Sequence, residues 1–483
     1  MKEELVTGLL VKMASHRHLR QLLSRKVDDH VYRMIVDGDW PEPRMVQLRK
    51  YQFLSAMLAC ATRNLDRGIM SHEVLRKLAR ILVQDNFMRN AVEPTHAERR
   101  YQDQHGELPP TFIVLSPTQV CNLHCTGCYA SSTARTAATL PYDTVDRITG
   151  ETWDLFGSRF MTISGGEPFM YRSQGKTLLD LFEKYNDMFF EVFTNGTMID
   201  DEVAARLGEL TNVTPAISVE GMEAETDERR GPGTYRRILA AMDRLRRHGV
   251  PFGISVTATK RNASVLLTDR FYDYWFREEG ATYMWQFQLM PIGRAEDAFE
   301  LTVSPDQRLA LLRMWEHLIS EKKYCVADFW NSGVLSNGCI AYGRNGGYLY
   351  IDWDGKIMPC VFIPYYVDTV QDLYARGETL ATALQSDFFK SGRQWQREYG
   401  LGHLHSPDNW LMPCSIRDNY RAFRDEILPA GILPENEEAA EALASEDYRR
   451  TLLAFDAELE SLTHRIWNDE YLGFRGRHAA HGG

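Results

Sequence analysis

Residues 111–128 read TFIVLSPTQVCNLHCTGC, an apolar run followed by a cysteine-rich loop. The run 111–115 has the composition of a buried β-strand, and Cys121, Cys125 and Cys128 follow it within eight residues of one another. Three thiolates at this spacing can hold one iron–sulfur cube and leave its fourth iron without a protein ligand. An open metal position is typical of catalytic rather than structural sites. The stretch therefore predicts a catalytic iron–sulfur site after a strand.

Strands and helices alternate beyond this loop. Helical patterns lie between the strands, for example at 178–185 and 235–248. This alternation indicates parallel βαβ units, and six of them are fewer than the eight of a closed barrel. We predict an α/β fold, a partial (β/α)6 TIM-like barrel, with the loops after its strands on the catalytic face. The predicted strands are 111–115, 160–163, 189–193, 215–219, 252–256 and 285–290.

Four further motifs follow predicted strands. Each is a weak signal alone, but together they occur in one order, each at the end of a strand. With the cysteine loop, they resemble the signature of the radical S-adenosylmethionine (SAM) superfamily, and the resemblance covers residues 111–300. The motifs are SGGEP at 164–168, TNGT at 194–197, ISVEG at 217–221 with RRG at 229–231, and MPIGRA at 290–295.

The resemblance implies a [4Fe–4S] cluster on Cys121, Cys125 and Cys128, and SAM bound beside it. The Gly-Gly-Glu-Pro segment would hold the amino group of SAM, and the serine and acid of the fourth strand would approach its ribose. An arginine would pair with its carboxylate, with Arg229 as the rival to Arg230. Gly127 departs from the family, which usually has a large residue there, and Tyr129 is the candidate to compensate. The implied SAM-binding residues are Gly165, Gly166, Glu167, Pro168, Asn195, Ser218, Glu220, Arg230 and Met290.

Three of the later cysteines form a second group. Cys339 and Cys360 flank a predicted hairpin at 346–355 in a C-x15-G-x4-C pattern, and Cys414 follows. This pattern resembles the opening of a SPASM or Twitch extension, which implies one auxiliary iron–sulfur cluster held by these three thiols. Its fourth ligand stays open between Cys325, a non-cysteine residue and the substrate. For Cys325 and Cys60 we expect ordinary places in the apolar core.

Composition and charge define the class of protein and its domains. The chain has 483 residues, 44% hydrophobic, and a formal charge of −11, which does not suit a nucleic-acid binder. With no apolar run of membrane-spanning length and no secretion-signal pattern, we expect a cytoplasmic protein with reduced thiols. Residues 1–100 carry 18 basic and 12 acidic residues, which suits either a solvated helical face or peripheral membrane contact. We predict a helical domain at 1–108, a radical SAM core at 109–300, a SPASM/Twitch-like domain at 301–425, and an acidic helical tail with a disordered end at 426–483.

The resemblance implies a definite chemistry but not a substrate. Reductive cleavage of SAM would yield a 5′-deoxyadenosyl radical that abstracts hydrogen from an unactivated C–H bond. The substrate would be a small molecule, a peptide or a lipid, and the electron donor a flavodoxin or a ferredoxin. No residue is singled out as catalytic beyond the cofactor contacts. Two other classes stay open: a zinc-stabilised binding or scaffold protein, with His124 completing the metal site, and a non-catalytic iron–sulfur electron carrier.

Overall fold

Helices precede the sheet, as the sequence predicts. The computed structural model describes residues 17–79, 94–133, 138–295 and 299–474. The turn at 37–41 separates the first two helices. The apolar positions at 5–13 and 81–82, whose spacing also indicates helix, lie outside the described residues. The helix His96–His105 begins with a capping box of Thr95 and Glu98 and lies within the region predicted as helical. The helices are α1 (Arg17–Ile35), α2 (Arg44–Asp66), α3 (His72–Ala79) and α4 (His96–His105).

A parallel sheet forms the centre of the molecule. Its first six strands pair in chain order, each parallel to the next, for example with Ile113 beside Met161. The strands are buried, as expected for a sheet covered by helices. The prediction of a partial (β/α)6 barrel is confirmed. The strands are β1 (Phe112–Leu115), β2 (Phe160–Ile163), β3 (Phe189–Thr194), β4 (Val213–Val219), β5 (Gly253–Ala258) and β6 (Tyr283–Gln288).

Helices connect these strands and bury one apolar face each. In the longest helix between strands, Ile238, Ala241, Met242 and Leu245 recur at helical spacing and are fully buried. This packing places the loop after each strand at the same edge of the sheet. The helices are α5 (Tyr142–Asp154), α6 (Leu178–Lys184), α7 (Asp201–Leu210), α8 (Glu223–Arg230), α9 (Thr234–Arg247), α10 (Ala263–Leu266), α11 (Asp269–Asp273) and α12 (Pro305–His317).

The sheet continues beyond six strands on both sides. Strand β7 (Val326–Asp328) pairs parallel to β6, and β8 (Tyr348–Ile351) pairs parallel to β1. Strand β8 turns into β9 (Lys356–Met358) through Gly355, whose φ of 81° suits glycine, so the predicted hairpin is present. Consequently the segment bearing the later cysteines is joined by backbone hydrogen bonds to the strand before the first cysteine loop.

Helices cover the C-terminal part, and the acidic tail is helical as predicted. Short strands β10 (Tyr365–Tyr366) and β12 (Leu433–Pro434) pair with each other, and β11 (Asp368–Thr369) pairs with β9. The predicted disordered end falls at 475–483, outside the described residues. The helices are α13 (Val370–Ala375), α14 (Leu380–Leu384), α15 (Asp387–Gln396), α16 (Ser415–Asp418), α17 (Tyr420–Ala422), α18 (Glu437–Ala444) and α19 (Glu446–Ile466).

None of the helices in the described ranges combines the length and the apolar composition needed to cross a bilayer.

Candidate active site

The first cysteine loop lies at the carboxyl edge of the sheet. Cys121, Cys125 and Cys128 follow β1 and line one cavity of about 240 Å3. Burial raises the pKa of Cys121 to about 11, so this thiol is protonated unless a metal replaces the proton. His124 is exposed on the same loop and does not line the cavity. In the described part of the chain, no three or more His, Cys, Asp or Glu side chains are grouped as ligands of a single ion.

Two arginines hold this loop, and the sequence did not identify that role. Nε of Arg229 donates to the carbonyl oxygen of Thr126 at 3.0 Å. Arg294 donates from Nε to the carbonyl of Cys125 at 3.3 Å and from Nη1 to that of Ser132 at 2.7 Å. Charged donors make strong hydrogen bonds to backbone carbonyls. The loop is therefore fastened from two sides. Arg229, the rival for the SAM carboxylate, also lines the cavity and pairs through Nη1 with Oε1 of Glu220 at 2.6 Å.

The glycines of the Gly-Gly-Glu-Pro segment pack against the chain that leads into the cysteine loop. A Cβ on Gly165 would lie 2.6 Å from the carbonyl oxygen of Thr118, and one on Gly166 would lie 2.2 Å from that of Val120. Gly165 also has a φ of 110°, which other residues rarely adopt. Both glycines line the cavity. Only glycine therefore allows this segment to approach both the cysteine loop and the cavity.

Glu167 is fully buried and joins two loops. Its Oε1 accepts hydrogen bonds from Oγ1 of Thr194 at 2.7 Å and from the Phe169 N–H at 3.2 Å, while Oε2 accepts from the Asn195 N–H at 2.8 Å. Burial raises its pKa to about 7, and these donors partly offset that effect. Neither Glu167 nor Pro168 lines the cavity. The structure thus places the side chain of Glu167 under the site, where it orients the loops.

N–H donors point toward the first group of thiols. Nδ2 of Asn195 lies 3.7 Å from Sγ of Cys121, and Nη1 of Arg230 lies 3.9 Å from Sγ of Cys125. Asn195 is fixed because its Oδ1 accepts from the Thr197 N–H at 2.9 Å. Hydrogen bonds to sulfur are one of the means by which proteins tune iron–sulfur sites.

Glu220 and Arg230 form a buried ion pair beside the cavity. Nε of Arg230 donates to Oε1 of Glu220 at 2.9 Å, and Nη2 donates to the same oxygen at 2.5 Å. Burial alone would lower the pKa of Arg230, but the charge and hydrogen bonds of Glu220, together with charge on Cys125 and Cys128, outweigh it and raise this pKa. Oε2 of Glu220 is buried without a hydrogen-bond partner. Arg230 lines the cavity and Glu220 does not, so the arginine is the member that faces a ligand.

The remaining predicted positions also meet at this cavity. Ser218 and Met290 line it from the ends of β4 and β6, and Gly127 and Tyr129 line it from the cysteine loop. The hydroxyl of Tyr129 accepts the Gly165 N–H at 3.2 Å, so this aromatic ring lies beside the Gly-Gly segment. Of the predicted SAM contacts, only the side chains of Glu167, Pro168 and Glu220 stand outside the cavity lining.

The second group of cysteines converges beside the same cavity. The hydroxyl of Tyr348 lies 2.9 Å from Sγ of Cys360, and the Phe362 N–H donates to this sulfur at 3.4 Å. Burial raises the pKa of Cys360 to about 12, and negative charge on Cys339 raises it further. The pKa of Cys414 is likewise raised by burial and by charge on the other two thiols. Folding therefore brings three thiols from distant positions near one another, with Cys360 buried and Cys339 and Cys414 half-buried.

Cys325 lies elsewhere. It directly precedes β7, at the amino edge of the sheet, and its N–H donates to Sγ of Cys60 on α2 at 3.4 Å. Both side chains are buried, and burial raises the pKa of each. Cys339 and Cys360 instead directly precede Ile340 and Val361, which line the cavity at the carboxyl edge. Cys325 is thus a core residue, and among the open choices for a fourth auxiliary ligand it is removed.

Comparison with known proteins identifies the family. Residues 115–262 match the model of the radical SAM superfamily. The chain is 31% identical over 291 residues to mycofactocin maturase MftC of Mycolicibacterium smegmatis, covering 58% of this chain and 70% of that protein. It is 28% identical over 295 residues to the AdoMet-dependent heme synthase of Methanosarcina barkeri, covering 54% of this chain and 80% of that protein. SuiB of Streptococcus suis, solved with S-adenosylmethionine, aligns at 16% identity over 72% of this chain and 83% of that chain, with a TM-score of 0.48.

The family model, the two curated relatives and the cysteine loop after β1 agree on the enzyme class and on its cofactors, a [4Fe–4S] cluster, SAM and auxiliary iron–sulfur chemistry. They exclude the scaffold and electron-carrier alternatives. The chain belongs to the radical SAM superfamily and is an enzyme.

Proposed function

We propose that Cys121, Cys125 and Cys128 hold the [4Fe–4S] cluster and that SAM occupies the adjoining cavity. The donor set fits this group, because three thiols share one loop and one cavity, which suits a cube with three protein ligands. When bound, the cluster and SAM supply a 5′-deoxyadenosyl radical that abstracts hydrogen from an unactivated C–H bond.

Side chains at the cavity would position SAM. Arg230 supports this role because its guanidinium lines the cavity while Glu220 holds its other face. A bidentate arginine suits a carboxylate, and its charge would pair with that of SAM in a site shielded from water. Gly165 and Gly166 leave their backbone open to the amino group, and Ser218 and Met290 would approach the ribose and the adenine. Glu167 would act indirectly, by fixing Asn195 and the Gly-Gly segment.

Cys339, Cys360 and Cys414 would hold an auxiliary cluster. Their proximity, the sulfur-directed N–H of Phe362 and the hydroxyl of Tyr348 suit a cluster with three protein ligands. With Cys325 excluded by its position, the fourth ligand would be a non-cysteine residue or the substrate. Such a cluster, next to the cavity, could exchange an electron with a substrate radical.

The domain division and partners extend this proposal. We assign 1–108 as a helical domain, 109–300 as the radical SAM core, 301–425 as the auxiliary-cluster domain and 426–483 as the tail. The substrate would be a peptide or a small molecule, since the relatives include a maturase and a synthase. A flavodoxin or a ferredoxin would deliver the electron in the cytoplasm, and a lipid substrate or peripheral membrane contact would involve the helical domain.

One observation carries the proposal: the three thiols share a cavity with the Gly-Gly segment and Arg230. The test is anaerobic reconstitution with iron and sulfide, followed by incubation with SAM and dithionite. We expect methionine and 5′-deoxyadenosine from the unchanged protein and none from Cys125→Ala, because a three-thiolate site cannot spare a ligand. Cys60→Ala, in the core near Cys325, is the matched control and should retain cleavage. Cleavage by Cys125→Ala would contradict the proposal.

A further inference from the structure

A carboxylate lies inside the barrel, where no motif predicted one. Glu191 stands in the middle of β3, only 5% exposed, and lines the same cavity as the first cysteine loop. Along this strand Phe193 also lines the cavity, as expected from the alternation of side chains in a strand. Glu191 therefore faces the interior beneath the proposed SAM site rather than the surrounding helices.

The surroundings of Glu191 do not neutralise its charge. Its Oε1 accepts from Nε1 of Trp285 at 2.8 Å, and the hydroxyl of Tyr283 is a second hydrogen-bonding neighbour. Both neighbours are neutral, and no salt bridge links Glu191 to a cation anywhere in the described ranges. Burial raises its pKa to about 7. By contrast, Glu220, which is also buried beside this cavity, is paired with Arg229 and Arg230. Burying a carboxylate without a cationic partner costs free energy. A carboxylate that lies in a ligand cavity in this state therefore points to a ligand group that pairs with it.

Aromatic rings form the rest of this chamber. Phe287 stacks parallel to Trp285 with ring centroids 6.1 Å apart, and it also contacts Phe329 at 5.4 Å and Phe362 at 6.0 Å. Phe362 follows Cys360 by two residues and meets Tyr129, which directly follows Cys128, at 6.4 Å. The chamber thus lies between the two cysteine groups. Its walls suit an apolar body, and aromatic faces also attract cations.

We propose that the substrate carries an ammonium or other N–H donor on an apolar body, and that Glu191 binds this donor inside the barrel. This inference rests on the proposed function and narrows its substrate class. The apolar body packs against Phe193, Phe287 and Phe362, which orients it between the two clusters. The donor replaces water at Glu191 and pairs with its carboxylate, which has no cationic partner among the described side chains. Glu191 is here a specificity-determining residue.

The experiment compares matched ligand pairs on the reconstituted full chain. The probes are tyramine against 4-ethylphenol, tryptamine against 3-ethylindole, and hexylamine against hexanol, with binding measured by anaerobic calorimetry. In each pair the two compounds share a body and differ in the amine. For at least one pair we expect the amine to bind about tenfold more tightly or better, which corresponds to about 1.4 kcal/mol.

Variants show whether Glu191 is the residue that binds the amine. Glu191→Gln keeps an acceptor for Trp285 and should reduce the preference to about twofold or less. Trp285→Phe removes the indole N–H, leaves the carboxylate, and should retain the preference. Glu209→Gln changes an exposed carboxylate on α7 and is the matched control, with binding unchanged. If Glu191→Gln does not fold, Glu191→Asp takes its place: it retracts the carboxylate by one methylene and should weaken the amine preference, and an unchanged preference would overturn the inference.

Two results would overturn the inference: no amine preferred over its partner by the unchanged protein, or a preference that survives in folded Glu191→Gln. The same preparations are assayed for 5′-deoxyadenosine formed from SAM without any probe. Cleavage without amine preference refutes the role of Glu191 and leaves the proposed function intact. Amine preference without cleavage refutes the proposed function and leaves the binding site intact.

Discussion

The guanidinium of Arg230 lies between two partners of different kinds. Nε donates to Oε1 of Glu220 at 2.9 Å, while Nη1 approaches Sγ of Cys125 at 3.9 Å. The carboxylate holds one edge of the planar group, so the other edge stays directed at the cysteine loop and the cavity. This arrangement suits an arginine that meets a ligand carboxylate next to the cluster, because the ion pair fixes its orientation before the ligand arrives.

Replacing Arg230 should weaken SAM binding without removing the cluster. In Arg230→Gln a charge-assisted hydrogen bond to the ligand is lost, which costs about 1.5–3 kcal/mol, or about ten- to a hundredfold in the dissociation constant. Equilibrium dialysis with labelled SAM measures this, and iron content should stay near that of the unchanged protein. Unaltered SAM affinity in a folded, iron-loaded variant would disprove the role of Arg230.

Whereas replacing Arg230 should weaken SAM binding, replacing Arg229 should make the cluster easier to remove. Its side chain holds the backbone of Thr126 and Gly127, so Arg229→Gln loosens the loop that bears the thiols. We expect reconstituted protein to lose iron and sulfide faster under a chelator than Arg230→Gln does. The measurement is the decay of the charge-transfer absorption after the chelator is added. Equal rates for the two variants would argue against the assigned division of roles.

Gly166→Ala should destabilise the protein strongly. The new Cβ would lie 2.2 Å from the carbonyl oxygen of Val120, a backbone atom that can move only by shifting the cysteine loop. We expect about 2–4 kcal/mol in the free energy of unfolding, measured by urea denaturation. Gly377→Ala is the control: Gly377 has a positive φ, which Gly166 lacks, but no atom of the described residues lies within 4 Å of the new Cβ. It should cost only about 1 kcal/mol, and a similar loss in both variants would contradict the steric argument.

Two cysteines of the C-terminal half should differ in their effect on iron content. Cys360→Ala removes a proposed auxiliary ligand, so part of the iron and sulfide should be lost while SAM cleavage continues without product. Cys325→Ala removes a core thiol at the other edge of the sheet and should leave iron content unchanged. Anaerobic iron and sulfide determination checks both. Iron loss in the Cys325 variant alone would reverse their assigned roles.

Asp352→Asn should stabilise the protein at high pH. Asp352 is fully buried near the hairpin turn, and burial raises its pKa from 3.8 to about 7. Between about pH 4 and 7 the folded state keeps a proton that the unfolded state has released, so this group lowers stability as pH rises. The asparagine lacks that charge, and we expect a gain of about 1–2 kcal/mol at pH 8 and little at pH 4. Urea denaturation at the two pH values measures it, and a gain that is larger at pH 4 would show the reverse linkage.

Much of the fold could be predicted from local pattern. The strands around Ile113 and Met161 are short apolar runs, and each is followed by a motif, so their parallel order and the position of the cysteine loop were predictable. The hairpin at Asp354 and Gly355 was also predicted from its turn residues. The pairing of β8 with β1 was not, since parallel pairing across more than two hundred residues leaves no local signal.

The candidate site likewise has features that the sequence predicts and features that only the tertiary structure shows. Spacing alone brought Cys121, Cys125 and Cys128 into one loop, because residues so close in sequence cannot lie far apart. The sequence, through its motifs and their resemblance to the family, therefore predicted the kind of cofactor and the edge of the sheet where its proposed site lies. The tertiary structure alone decided that Arg229 fastens the loop, that Cys325 packs against Cys60, and that Glu191 faces the cavity with no cation paired to it among the described residues. These three features depend on contacts between distant segments and on which side of a buried strand faces inward. Neither can be inferred from local sequence.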